Sequence, residues 1–290
     1  MVMDFRSGSE LLQLCKEYDL PISEIMILRE EKELGVSREE ALKRMGYSYQ
    51  IMKRAATKAI EEPQRSIGGL IGGEAARLHA MRQDGKSICG TVISKAITYA
   101  MGVMEVNASM GLIVAAPTAG SSGIIPGVFL SLQEEYGFTD EEMVIALFNT
   151  AAVGYLIMRN ATVSGAQGGC QAEVGSSSAM AAAAITELMG GSPKQCLSAS
   201  AIAISNLMGV VCDPIGGLVE APCQTRNSVG ASNAFVCAEI ALSGAKTVIP
   251  FDEIVEASYQ VGLRMPVELR ETALGGAAAT PTACSLCKGS

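Results

Sequence analysis

The chain has 290 residues and a formal net charge of −8; 49% of it is hydrophobic, yet aromatics make up only 4% and tryptophan is absent. So acidic a balance argues against a nucleic-acid groove, which needs a concentrated basic surface, and points to a small-molecule substrate. The length suits one main core, made of Ala, Ile, Leu, Val and Met, with a small N-terminal extension.

Ser9 to Tyr18 and Pro21 to Leu34 carry apolar residues at helical spacing, and Pro21 suits a first helical position. Ser37 with Glu40 makes a capping box that opens a helix to about Glu62, before Pro63. Together these form a charged N-terminal helical region over residues 1–66, read as a solvated subdomain in preference to a partner-docking arm. Composition changes at Gly68. The run Gly68-Gly69-Leu70-Ile71-Gly72-Gly73 precedes a helix from Glu74 to Arg82, which carries His79, the single histidine. Glycines before a helix can open backbone N–H groups to an anion, although neither dinucleotide nor phosphate-loop spacing is present. A lone histidine reads first as a hydrogen-bonded structural residue, and His79 is the chain's candidate base only if a partner faces it.

An apolar helix at about Ser87 to Val106, then Met110 to Ala116, leads to the loop from Pro117 to Gly127. Its small residues let backbone approach a ligand, and Thr118, Ser121 and Ser122 offer hydroxyls for a substrate carboxylate or amine. Thr139 with Glu142 is a further capping box, opening a long buried helix from Asp140 to Arg159. After a break at Val163 to Gly169, Cys170 opens an Ala-rich helix to Met189, and Pro193 starts another to about Gly209. Cys212 to Gly217 breaks the pattern before a helix from Gln224 to Ala245. Phe251 to Gly262 and Pro266 to Leu274 read as final helices. A flexible tail, 277–290, carries Cys284 and Cys287. With no period-2 run and no internal repeat, the fold class is all-α, with residues 67–276 as a helical catalytic core. Only nine charged residues lie between Met143 and Pro250, so its helices are expected to be buried on most sides.

No membrane span is expected: Met143 to Met158 and Gln195 to Cys212 are too short, or too rich in Ser, Asn and Gly, to supply about 20 apolar residues. Asp4, Arg6 and Glu10 interrupt the place where a signal peptide's apolar run would sit. Nine cysteines, an odd number, argue against a disulfide framework and for the reducing cytoplasm. Cys15, Cys89, Cys196 and Cys237 lie in helical patterns and read as packing. Cys170, Cys212 and Cys223 instead lie at Gly- or Pro-rich breaks. Metal clusters need short side chains gathered from loops and helix ends, with backbone N–H groups free to bond sulfur. Three thiolates suit an iron–sulfur cluster with one iron left open.

The motifs around these residues are long. APTAGSSGIIPG at 116–127, VSGAQGGCQAEVGSSSAM at 163–180, NLMGVVCDPIGGLVEAPC at 206–223 and LRETALGGAAATPT at 269–282 make the chain resemble the alpha chain of the iron–sulfur-dependent L-serine dehydratases, or L-serine ammonia-lyases. The resemblance implies a mostly helical protein in which Cys170, Cys212 and Cys223 hold a [4Fe-4S] cluster. It also implies a separate or fused beta chain, hence a hetero-oligomer, and cleavage of L-serine to pyruvate and ammonia through an aminoacrylate. The open iron would polarise the serine hydroxyl, with no pyridoxal lysine required. In that family a Ser-Ser-His-Thr element belongs to the beta part, and in some relatives a C-terminal cysteine occupies the open iron. Cys284 is the nearer tail candidate by spacing and Cys287 the second. Two other functions fit the same features: elimination of sulfide from L-cysteine, and a non-catalytic iron–sulfur sensor or assembly subunit.

Overall fold

The computed structural model describes residues 3–245 and 247–287. Side-chain caps set several helix starts. Ser7 and Ser37 accept hydrogen bonds from the N–H groups of Glu10 and Glu40 at the beginnings of α1 (Gly8–Tyr18) and α3 (Arg38–Glu61), on either side of α2 (Ile22–Glu33). Reciprocal capping boxes, Thr139 with Glu142 and Ser192 with Gln195, open α7 (Asp140–Asn160) and α10 (Pro193–Leu207). At Ser37 only half of the expected box forms, because the Glu40 carboxylate binds Arg44 at 2.7 Å instead.

The other helices are α4 (Glu74–Gln83), α5 (Gly90–Ala108), α6 (Ile124–Tyr136), α8 (Gly165–Gly168), α9 (Ser176–Leu188), α11 (Cys223–Leu242), α12 (Phe251–Arg264) and α13 (Pro281–Cys287). Among the described residues there is no strand, and one isolated bridge pairs Cys212 with Arg270. α9 lies at the centre, packed on α6, α7, α10 and α11, and every residue from Ser176 to Thr186 is buried. Alanine makes this possible: Ala179 and Ala181 to Ala184 are fully covered, and their short side chains let four helices close on one. The N-terminal helices share that core, since Met3, Phe5, Ile22, Ile25 and Ile27 are buried in the same apolar cluster as α7 and α9. α7 is long and apolar enough to cross a membrane, yet its Met143, Leu147, Phe148, Val153 and Leu156 pack into this core.

α5 and α6 meet backbone to backbone. A Cβ on Gly127 would lie 2.7 Å from the Ala96 carbonyl oxygen and 3.0 Å from the Ala100 amide nitrogen. Gly127→Ala should therefore destabilise the fold by about 1–3 kcal/mol through overpacking, seen as a lower urea midpoint. An unchanged midpoint would mean that the two helices separate freely.

Three segments depart from the sequence pattern. Met110 to Ala116 forms no helix. Pro266 to Leu274 is not a helix either: a 3₁₀ turn covers only Val267–Leu269, and Glu271 and Ala273 take positive φ values of 65° and 56°. That stretch is held out of a helix because it pairs with Cys212, whose N–H donates to Leu269 O at 2.8 Å and whose carbonyl accepts from Glu271 N at 2.7 Å. The third departure follows Cys170, where a π turn over Gln171–Gly175 precedes α9. At the C-terminus, a 3₁₀ turn at Gly276–Ala279 and then α13 pack against the turn Ile215–Gly217.

Candidate metal centre

Three breaks in the helical pattern bring three thiols together. Gly169, at φ 76°, sits where a Cβ would strike Met265, and this tight turn delivers Cys170 to the head of the π turn. The next residue, buried Gln171, ties the neighbouring segments: Oε1 accepts from Gly209 N at 2.7 Å, Nε2 donates to Ser258 O at 2.8 Å, and its N–H donates to Val210 O. Cys212 is pinned two residues further on by Leu269 and Glu271, and Cys223 is the first residue of α11. One turn into α11, buried Asn227 accepts from Gly123 N at 3.0 Å and donates to Gly120 O at 2.8 Å and Cys223 O at 2.9 Å. It thereby fixes the serine-bearing loop beside the third cysteine.

Cys170, Cys212 and Cys223 are free thiols, 2%, 3% and 7% exposed. A hydrogen bond from Cys212, helped by the Arg226 guanidinium, holds Cys170 below the usual thiol range despite its burial. The same bond, together with burial, pushes Cys212 up. Burial, with the charges of Cys170 and Glu173, raises Cys223 to about 12. Among the described residues no three Cys, His, Asp or Glu side chains converge on the position of a single ion.

Charged groups surround the thiols. Arg226 donates to Val211 O at 2.8 Å and pairs with Asp213 Oδ1 at 2.7 Å. Asp213 Oδ2 in turn accepts from Ala277 N at 2.6 Å, fastening the start of the tail. Glu173 Oε1 accepts from the Thr118 hydroxyl at 2.7 Å, and Oε2 lies 4.0 Å from Cys212 Sγ. Burial and the Glu271 charge push the Glu173 carboxyl above its ordinary range, against the Thr118 bond.

Of the loop hydroxyls, Thr118 thus faces Glu173, and Ser121 Oγ lies 3.1 Å from Thr118 Oγ1. Ser122 turns inward, donating to Ala119 O at 2.8 Å beside Met104. The ring nitrogens of His79 meet Arg82 and Gln83 of its own helix at 3.0 and 3.3 Å. The glycine run at 68–73 does present N–H groups to anions, but these are carboxylates of the chain itself. Glu220 accepts from Gly68 N, Leu70 N and the Ser66 hydroxyl, and Glu105 accepts from Gly73 N and Ala75 N. Cys284 is exposed, its sulfur 3.9 Å from Ala278 O, and the side chain of Cys287 lies outside the described residues. Cys15, Cys196 and Cys237 are buried as packing residues. Cys89 is not: it is exposed just before α5, which starts at Gly90 and not at Ser87.

Glu173, Asp213, Arg226 and Asn227 did not stand out in the sequence pattern. Three of them belong to the nine charges between Met143 and Pro250, and that scarcity was the available signal. A charge kept inside an apolar helical core must have a partner or a task.

Fold and site together define an all-helical protein with three buried thiols, framed by an Arg–Asp pair on one side and a carboxylate–hydroxyl pair on the other. The pattern described as "Serine dehydratase alpha chain" matches residues 17–278, and the chain belongs to that family. It is 46% identical over 278 residues to the "Probable L-serine dehydratase, alpha chain" of Bacillus subtilis (strain 168), covering 96% of this chain and 92% of the relative. To the "L-serine dehydratase, alpha chain" of Peptoniphilus asaccharolyticus it is 43% identical over 276 residues, covering 95% and 94%. With the "L-serine dehydratase TdcG" of Escherichia coli (strain K12) the identity is 35% over 284 residues, covering 95% of this chain but 62% of that longer relative.

Proposed function

We propose that the chain is the alpha subunit of a cytoplasmic L-serine ammonia-lyase, in which Cys170, Cys212 and Cys223 hold a [4Fe-4S] cluster and a beta chain completes the enzyme. The observation that carries this reading is that three buried free thiols are neighbours, Cys212 bonded to Cys170 and Cys223 within the field of Cys170 and Glu173. The donor set is chemically suited to a cluster, because three cysteine thiolates are the soft ligands that bind its irons. Gly165 lets backbone pack directly against the thiol and the carboxylate: a Cβ there would lie 3.1 Å from Cys212 Sγ and 2.6 Å from Glu173 Oε2. Arg226, donating beside Cys170, favours the thiolate form that metal binding requires.

When bound, such a cluster supplies a Lewis-acidic iron that eases departure of the serine hydroxyl. Loss of the α-proton and of hydroxide converts serine to aminoacrylate, which tautomerises to an imine and takes up water to release ammonia and pyruvate. Thr118 and Ser121 are the proposed substrate contacts on this side of the thiols, supported by the bond from Thr118 to Glu173, and Ser122 bonds within the turn they share. His79 faces its own helix, so the beta chain is the proposed source of the base. A tail thiol, Cys284 or Cys287, is the proposed resting partner of the site, supported by the packing of α13 on the turn between Cys212 and Cys223.

The test is anaerobic reconstitution with the beta chain, followed by assay of pyruvate from L-serine and from L-cysteine. Serine should be the better substrate by at least about tenfold in kcat/KM, or 1.4 kcal/mol. Comparable or faster release from cysteine would instead identify a sulfide-eliminating enzyme, and release from neither a non-catalytic subunit.

A further inference from the structure

We infer that Glu173 is the residue that binds the α-ammonium group of the amino-acid substrate. This rests on the reading of the site as an amino-acid lyase centre. Elsewhere in the core, buried acids have their donors: Asp213 has Arg226 and Ala277 N, Glu220 has two N–H groups and a hydroxyl, and Glu105 has two N–H groups and Gln224. Glu173 has only the Thr118 hydroxyl on Oε1; Cys212 Sγ lies 4.0 Å from Oε2, and with its proton directed to Cys170 it leaves Oε2 without a good donor.

No cation of the chain answers it: among the described residues no Lys, Arg or His is paired with Glu173. The neighbouring cation, Arg226, is committed to Asp213 and Val211 O. A half-buried carboxylate without a counter-charge is poorly solvated, so a ligand that supplies one gains more than it would at the open surface.

The shape of the site selects a small cation. Bare backbone flanks the carboxylate on both sides: a Cβ on Gly120 would lie 3.0 Å from Oε1, and one on Gly165 would lie 2.6 Å from Oε2. A ligand admitted beside backbone packed this closely must be compact, as an ammonium with three donors is. The carboxylate adjoins Cys212, so an amino acid held there by its nitrogen keeps its β-carbon substituent within reach of the thiol centre.

The test compares L-alanine and L-lactate, which differ in ammonium versus hydroxyl and lack the leaving group, by calorimetric binding to the anaerobic reconstituted holoenzyme. Wild type should prefer alanine. Glu173→Gln, which retains an oxygen for Thr118, should weaken alanine by about 30-fold and change lactate by less than about threefold. It should also raise KM for L-serine more than it lowers kcat. No preference in wild type, or a preference that survives in Glu173→Gln at full iron content, overturns the inference. If the Gln variant loses iron, Gly120→Ala decides the matter: it crowds Oε1 but keeps the charge, and it too should penalise alanine selectively. A wild type that prefers alanine yet produces no pyruvate from serine would sink the proposed reaction and leave the ammonium site standing.

Discussion

Replacing Cys170, Cys212 or Cys223 by serine should abolish serine-dependent pyruvate formation, by at least about 1,000-fold for each variant. A [4Fe-4S] centre should give wild type about four irons and four sulfides per chain after anaerobic reconstitution, and each variant should fall well short of that. The reason is ligand chemistry: a serine oxygen is a harder and much more basic donor than a thiolate, and each thiol here is the sole cysteine that its break contributes. Cys196 and Cys237 serve as controls, since both are fully buried among the apolar residues of the core. Cys237→Ser, whose hydroxyl would keep Asn206 and Asn233 within reach, should cost no more than about 1 kcal/mol of stability and should keep full iron. Full iron in any one of the three site variants would remove that cysteine from the ligand set. Full iron in all three would end the cluster proposal.

These cysteines stood out in the sequence because each interrupts a helical pattern beside glycine or proline, where Cys15, Cys196 and Cys237 do not. Most of the helices were legible for a related reason. Ser37, Thr139 and Pro193 act within one turn, so the sequence alone carries the information. Pro266 to Leu274 shows the limit. Its local pattern favours a helix, but the Cys212 backbone captures its N–H and C=O groups from over fifty residues away, and tertiary pairing overrides propensity. The glycine run at 68–73 shows another. Its anion-binding geometry was visible in the chain, but not that Glu220 and Glu105 would occupy it.

The charges near the thiols were hidden for a different reason. Glu173 follows Cys170 by three residues, yet its contact with Thr118 spans 55 positions. Only the folded chain shows that the hydroxyl of one motif and the carboxylate of another make a single device. Thr118 was read as a substrate contact in its own right. The structure spends its hydroxyl on Glu173, so any effect of Thr118→Val on serine binding would pass at least partly through the carboxylate.

Arg226 carries the second large expectation. Its pair with Asp213 is shielded, with side-chain exposures of 21% and 5%, and Asp213 also holds the tail through Ala277 N. Removing one member of a buried pair leaves the other charge uncompensated, so Arg226→Met should destabilise the protein by about 3 kcal/mol. The cost should be partly reversed in the double variant Asp213→Asn/Arg226→Met, because that protein no longer buries a lone carboxylate. Urea unfolding of the two single variants and the double one, all free of cluster, would give a coupling energy above about 0.5 kcal/mol if the pair acts as a unit. Strict additivity would show that the two side chains contribute independently. A second effect separates electrostatics from packing. Arg226 helps to hold Cys170 below the usual thiol range, so its loss should slow cluster assembly while Asp213→Asn, which keeps the guanidinium, should not. Equal assembly rates in the two variants would mean that Arg226 serves the fold and the tail alone; a slow rate confined to Arg226→Met would make it the residue that prepares Cys170 for metal.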